Sequence, residues 1–596
     1  MIKNDNSLIG KLFFKLLPVQ ILIFSMGSVN SIVDGVMAAR FIDADTVGVI
    51  GLYYSMVQTL SAISNVLIGG SSVLSGKSIG RGDTEKTSCI FSLNLTVTTI
   101  TGVVITVFCF LFPGALADIL GSNDSLKHSL ILYILGYAVG ILPYLLSQQL
   151  ALFLQLEGQS ILSYAGIIVM ILSNVGLDIL LVSHHGMGVL GLALATSISN
   201  LIYLLVLIPY FISKRASLRY TCSAKMWEDL IPLIKIGFPG ALLVFCIAVR
   251  YLVINRLLLS TAGTDGISAM GAFNMVAGLY IAFCLGNGSV VRMLVSVFIG
   301  EEDRESIKKV IKIVFTKSMV LIIAISAVLF FLAPSFSAIF FPDTASNVYH
   351  LTYQIFAVYT FCLPFILICQ IFTNYLQSMG HNSFVNFQSV FDGFFSVTVP
   401  ALLLAPVMGV MGVWISNLIG VIIVIMVVPV YCIIWWKRLP SSIDEWMFFK
   451  PDFGIPEEDS LSFTFHNEEE ISDAAEVIQE FAINHYFSKK ISCYSALCLE
   501  EMAGNVIEHG FNDGRSDHSL IARVIISPEK VLLRIKDDCR PFNPKDFAVM
   551  ASPEKPYDNI GIKMVFGISD DVNYQNMLGL NVLSVTLNQE NLLSVN

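Results

Sequence analysis

Twelve predominantly apolar runs begin near residues 12, 46, 89, 128, 160, 188, 234, 267, 312, 349, 383 and 408, each close to the roughly 20 residues a helix needs to cross a bilayer core. In hydrocarbon every backbone polar group must be satisfied within its own segment, so such runs fold as helices. The chain up to about residue 440 is therefore expected to be all-α and polytopic. Only 13% of the residues are charged, against about 25% in soluble proteins, and the mean hydropathy is +0.73. The net charge of -10 gathers toward the C-terminal end and argues against nucleic acid as a partner. The eleven cysteines show no CxxC pair and no metal-ligand spacing, so neither a disulfide framework nor a zinc site is expected. No small-residue cleavage site follows the first apolar run, which reads as a retained span.

Basic residues cluster in the loops after the second, sixth and eighth spans: Lys77, Arg81 and Lys86; Lys214, Arg215, Arg219 and Lys225; Arg304, Lys308 and Lys309. The other side offers little beyond Arg40 and Lys127. By the positive-inside rule both termini are cytoplasmic, in a multi-pass protein of the cell (inner) membrane. The two halves also match at an offset of about 220 residues. Pro113 answers Pro334, GMGVLG at 186–191 answers VMGVMG at 407–412, and SIGRGDTEK at 78–86 answers FIGEEDRES at 298–306. An even number of spans per half makes the repeats parallel in topology, so two six-helix lobes facing a central cavity are expected.

Asp34 lies within the first span and Asp178 within the fifth. A carboxylate at the membrane centre costs roughly 2.5–3.5 kcal/mol on insertion scales. Asn174, one turn before Asp178, shares its helix face, and Thr196 in the sixth span adds a hydroxyl. Two carboxylates, an amide and a hydroxyl suit a hard cation such as sodium, and a proton could use the same carboxylates. An offset of 221 sets Asn255, Phe395, Val399 and Asn417 opposite these four, so the scaffold is duplicated and the acids are not. In the second lobe Arg250 lies too deep for easy snorkelling and is expected near Asp392, whereas Arg292 is expected to snorkel to the surface. His184 and His185 read as surface residues.

Residues 10–435 resemble the multidrug and toxic compound extrusion (MATE) transporters, through VDGVMAARF, GGSSVLSGKSIGRGD, LEGQSILSYAGIIVMILSNVGLDILLV and GMGVLGLALAT in family order. By that resemblance Asp34, Asn174, Asp178 and Thr196 form the cation site of the N-terminal lobe. The resemblance implies antiport, in which inward flow of Na+ or H+ drives export of small organic, often cationic, compounds.

Beyond KRLPSSIDEW the apolar runs stop, and PDFGIPEEDS at 451–460 reads as a flexible linker, so no fixed docking of the two parts is expected. LSFTFHN, LIARVIIS, KVLLRIKDD, DVNYQ and NVLSVTLN alternate as strands, and EEISDAAEVIQEFAINHYF is an amphipathic helix. The expected organisation is an N-lobe (1–225), a C-lobe (226–440), a linker (441–460) and a small α/β two-layer sandwich (461–596). Within the last, Glu501, Asn505 and His509 recur every four residues and form one polar helix stripe. A carboxylate can act there as a general base and an amide can hold Mg2+. Asp537, at a strand end, suits an adenine amino group, and Gly561 lies where a helix start could meet phosphates.

These segments resemble the ATP-binding domain shared by histidine kinases, gyrase and Hsp90, and most closely the anti-sigma-factor serine kinases. The resemblance implies that Glu501 is the general base, Asn505 the Mg2+ ligand, Asp537 the adenine reader and Gly561 part of the phosphate lid, with ATP and Mg2+ as cofactors. A small regulatory protein is then an expected partner. Cys539 and Asn559 stand where that family has Gly, and a Cβ at either place could crowd the nucleotide. No GxxxxGK[ST] motif occurs, which argues against a primary ATP-driven pump. The expected function is a cation-coupled antiporter with a regulatory ATP-binding domain; the alternative is a membrane-tethered signalling protein whose tail is a serine kinase.

Overall fold

The computed structural model describes residues 7–42, 44–120, 124–213, 216–221, 223–511, 518–545 and 560–589. Lys214, Arg215 and Asn559, singled out above, lie outside the described residues. Among the described residues, eleven helical segments are long and apolar enough to cross a membrane. One of them, Leu230–Gly300, is 71 residues long and leaves helical geometry at Gly263 (φ 64°). Divided there, it supplies spans seven and eight, which completes the expected twelve.

The duplication is written in the backbone as well as in the sequence. Left-handed residues recur in matched pairs: Gly82 with Glu302, Gly158 with Gly380, and Gly188 with Gly409. The loops between spans two and three and between spans eight and nine end in matched acidic caps. Asp83 accepts from the Lys86 amide and Asp303 from the Ser306 amide, satisfying otherwise orphaned N–H groups at each helix start.

Glycines bring the lobes together at the end that carries the C-terminal domain. A Cβ on Gly70 would strike the Leu233 carbonyl, one on Gly237 the Val66 carbonyl, and one on Gly76 the Ser296 side chain. Gly80 and Gly300 abut each other, each against backbone of the opposite lobe. Such close approach of helices is what small residues permit in lipid. Toward the far end the last such contacts set Gly278 against Ser28, and Gly271, Gly35 and Gly51 meet no neighbouring atom within 4 Å.

The C-terminal domain is a five-stranded antiparallel sheet in the order β1-β2-β3-β5-β4: β1 Ser460–Phe465, β2 Leu520–Ser527, β3 Lys530–Asp537, β4 Asp571–Met577 and β5 Leu580–Asn588. Helices Glu468–Asn484, Lys489–Asn505 and Ile560–Ile568 accompany it. Successive strand residues point to opposite faces. Val531, Leu533 and Ile535 of β3, with Leu520, Ala522 and Val524 of β2, pack into the core shared with Ile478, Leu499 and Val565 of the helices. Met577, Leu578 and Val582 instead belong to the membrane part's core.

Residues 443–455 bind the membrane part rather than swinging free. Arg304 pairs with Asp444 at 3.3 Å and donates to the Phe453 carbonyl, and Lys308 lies 2.8 Å from Asp444. Tyr375 donates to the Met447 carbonyl, Trp436 to that of Glu445, and Ile455 to that of Glu302. Phe448 and Phe449 are buried. The expected flexibility is therefore corrected: Pro and Gly bend this segment, while its aromatic residues and Asp444 hold it.

Candidate functional site

Four side chains from three spans converge in the first lobe. Asn174 and Asp178 share one face of span five (Ser160–Asp178) and are fully buried. Thr196 comes from span six (Gly188–Ile212) and Asp34 from span one (Ser7–Phe41), both also buried. Asn174 donates to the Thr196 hydroxyl at 3.4 Å, which donates to Asp34 Oδ2 at 3.5 Å. Asp178 is close enough to Asp34 for direct electrostatic interaction. A π-turn, Ile179–His184, starts immediately after Asp178 and widens the helix there, a distortion frequent at functional sites.

The polar accounting leaves a remainder. Asp34 Oδ1, Asn174 Oδ1 and both carboxylate oxygens of Asp178 are buried without any hydrogen-bond partner. Each unsatisfied buried polar atom costs about 1–3 kcal/mol, more when charged. Four buried oxygens that accept and have no donor are chemically suited to a hard cation or a proton. Tyr53 joins the wall, with its ring 4.9 Å from Tyr133 and 4.8 Å from Tyr137. The Tyr133 ring lies near both Asp34 and Asp178.

The matched positions of the second lobe are unlike these. Asn255, Phe395 and Val399 are exposed on the protein surface, and Asn417 bonds only the Val413 and Trp414 carbonyls of its own helix. Arg250 does reach Asp392, but its guanidinium donates to the backbone carbonyl at 3.2 Å. That carbonyl lies in a π-turn, Phe391–Phe395, where the normal helical ladder is interrupted. Arg292 does not snorkel; it donates to Asn374 Oδ1 at 3.0 Å inside the lobe. His184 and His185 are exposed.

In the C-terminal domain Glu501 and Asn505 close the helix Lys489–Asn505, and Asn505 Nδ2 donates to the Glu501 carbonyl at 2.6 Å. A π-turn, Val506–Gly510, follows and takes His509 off the stripe. Its ring is exposed and lies 3.9 Å from Glu508, so the structure does not group it with Glu501. Gly561, in the first turn of Ile560–Ile568, lies directly against the Glu501 carboxylate, leaving no room for a Cβ. The carboxylate thus sits near the positive end of that helix.

Asp537 is buried at the end of β3. Its Oδ1 accepts from the Asn581 amide at 2.7 Å and from the Cys539 N–H at 2.9 Å. Burial raises its carboxyl above the usual range, with Asp538 adding to the rise and the Asn581 and Cys539 hydrogen bonds opposing it. The Cys539 side chain is accommodated by a glycine elsewhere: a Cβ on Gly510 would lie 2.8 Å from its sulfur. His518, Asp538 and Cys539 bring their donor atoms within 4.8 Å of one another, a grouping that sequence spacing did not suggest.

Comparison with known proteins bears on both parts. The MatE family model matches residues 20–181 and 239–397, which is more than half of the chain. The chain belongs to the MatE family. Residues 466–587 match the histidine kinase-like ATPase domain. Among curated relatives, multidrug export protein MepA of Staphylococcus saprophyticus is 26% identical over 401 residues, covering 63% of this chain and 84% of its own. MepA of Staphylococcus haemolyticus is 27% identical over 437 residues, covering 70% and 91%. A solved outward-facing multidrug resistance MATE family transporter superposes with a TM-score of 0.66 at 17% identity, covering 72% of this chain and 96% of its own. A MATE crystal structure in complex with MaL6 gives 0.66 at 18% identity, covering 70% and 94%.

Within the MatE fold, sequence reasoning missed Tyr53, Tyr133 and Tyr137, which lie in apolar runs where an aromatic residue reads as packing. The i, i+4 spacing of Tyr133 and Tyr137 was the one available signal. In the ATPase-like domain it missed Asn581, the residue that holds Asp537, because an Asn in an alternating strand reads as a solvent-facing position.

Proposed function

We propose that this protein is a cation-coupled antiporter that exports small organic, cationic or amphipathic compounds across the cell (inner) membrane, with both termini cytoplasmic. The observation that carries the reading is the cluster of partnerless buried oxygens on Asp34, Asn174 and Asp178. A Na+ ion or a proton supplies the positive charge that those oxygens lack. Occupancy then favours one of two lobe arrangements while the exported compound favours the other, and that difference in affinity couples the two flows. The names of the MepA relatives support multidrug export as the class of transport.

The ATPase-like domain is proposed to bind ATP with Mg2+ and to regulate transport. Asp537 reads adenine, Asn505 holds the metal, Glu501 acts as general base and Gly561 admits the phosphates. His509, being outside this group, is not needed for it. A serine kinase activity toward a small regulatory protein remains the finer form of this reading, supported by the resemblance of the three segments.

The test is efflux of a fluorescent organic cation from proteoliposomes under imposed Na+ or pH gradients, with and without Mg-ATP on the domain side. Efflux should require a gradient and be modulated by nucleotide. Efflux that needs ATP and no gradient would overturn the antiport reading.

A further inference from the structure

The outer face of the C-terminal sheet is built for an acidic partner. Arg523 of β2 and Arg534 of β3 are directly opposed across the sheet, with Lys536 on the same face of β3. Like charges directly opposed weaken a strand pair unless something neutralises them. Here the loop after span eight does so. Lys536 Nζ lies 2.6 Å from Glu301 Oε2, Arg534 3.9 Å from Glu301 Oε1, and Arg523 3.4 Å from Asp303 Oδ2. Glu301 and Asp303 are buried beneath the sheet.

The same face also grips the other lobe. Arg534 donates to the Gly80 carbonyl at 3.4 Å and Asn573 to that of Gly82 at 2.9 Å. The Leu578 amide donates to the Leu156 carbonyl at 2.9 Å. Arg534 therefore touches Gly80 of the first lobe and Glu301 of the second at once. Gly80 and Gly300 are the matched residues at which the lobes abut, so parting the lobes at this end must break one of the two contacts.

The two gate loops have diverged where the domain reads them. Arg81 answers Glu301 and Gly82 answers Glu302, in segments that keep the flanking Ile-Gly and the capping Asp in common. A basic sheet face thus has one register on a pseudosymmetric gate. Burial works to raise the Asp303 carboxyl, yet Arg523, Lys536 and the Ser306 hydrogen bonds outweigh it and hold it below its usual range. It is ionised when the domain is docked.

We propose that the C-terminal domain is a latch across the cytoplasmic gate, whose basic sheet face bridges the Gly80 and Glu301 loops and holds the transporter in its cytoplasm-closed, outward-facing arrangement. The proposal rests on the transporter reading above and gives its regulatory domain a physical mode of action. The proposed nucleotide site also borders the membrane part: Lys11 of span one lies 4.0 Å from Asp538, next to the proposed adenine reader.

The test measures the distance between spin labels at Glu85→Cys and Glu305→Cys, exposed and repeat-matched positions beside the gate. It uses the full chain in lipid nanodiscs, with accessible native cysteines replaced. The wild-type sheet should give a dominant short distance. Charge reversal by Arg534→Glu with Lys536→Glu should move at least half of the population to longer distances, and adding Glu301→Lys should return most of it. A distribution unchanged by the reversal overturns the latch, as does one that shifts without being restored by Glu301→Lys. Distances need no transported compound, so an absence of gradient-driven efflux would refute the antiport reading without touching this result.

Discussion

The two lobes share a backbone and differ in what they do with it. Left-handed residues, acidic helix caps and gate glycines recur at offsets of 220 to 222 residues. At matched positions the first lobe places Asn174 and Asp178 in its interior, and the second places Phe395 and Val399 on its surface. Duplication therefore supplied the hinge and the gate. The paired buried carboxylates stand in one copy, and the acidic loop that meets the C-terminal domain stands in the other.

The largest expected effect comes from breaking that asymmetry at the proposed ion site. Asp178→Asn should reduce gradient-driven dye efflux to background, while Asn417→Ala at a matched position of the second lobe should leave it within about twofold, since surface or self-bonded positions contribute little. Equal loss in both would mean that the lobes are functionally equivalent. A smaller effect is expected at the gate. Gly80→Val forces a side chain into the backbone of span eight, an overpacking that costs about 1–3 kcal/mol. The labelled gate positions should shift toward longer distances, and a purified variant should lose thermal stability.

The caps give a finer test of the same comparison. Asp83→Ala removes only a helix cap, typically about 1 kcal/mol. Asp303→Ala removes a cap and the partner of Arg523, so it should lower the unfolding temperature more than Asp83→Ala does. Equal shifts would place the Asp303 contribution in the cap alone. The smallest effect is on nucleotide binding. Asn581→Ala removes one hydrogen bond to Asp537, a net contribution of about 0.5–1.5 kcal/mol, and should weaken binding of a fluorescent ATP analogue through misplacement of Asp537. Because burial raises the Asp537 carboxyl, it takes up a proton at higher pH in the folded domain than in the unfolded chain. Its contribution to domain stability is unfavourable at neutral pH and is relieved as pH falls through that raised value, while affinity for adenine falls over the same range.

Most of the fold was legible because it is periodic. Apolar runs give spans, alternation gives β1 to β5, and paired glycines and prolines give the repeat. The proposed ion site was legible because an acid in a membrane span has few reasons to be there. What escaped notice depends on tertiary partners. Arg534 and Lys536 alternate as a solvated strand face would, and only the distant Gly80 and Glu301, each more than two hundred residues away, make them an interface. The segment 443–455 has the composition of a linker, and Arg304 decides otherwise. The π-turn that displaces His509 leaves no mark in a four-residue spacing.

The central claim is that the first-lobe oxygens bind the coupling ion. Calorimetric titration of the purified full chain with Na+, at several pH values so that proton exchange is also read, tests it directly. Saturable ion or proton binding should be present in the wild type, retained in Asn417→Ala and lost in Asp34→Asn. Undiminished binding in Asp34→Asn would contradict the account.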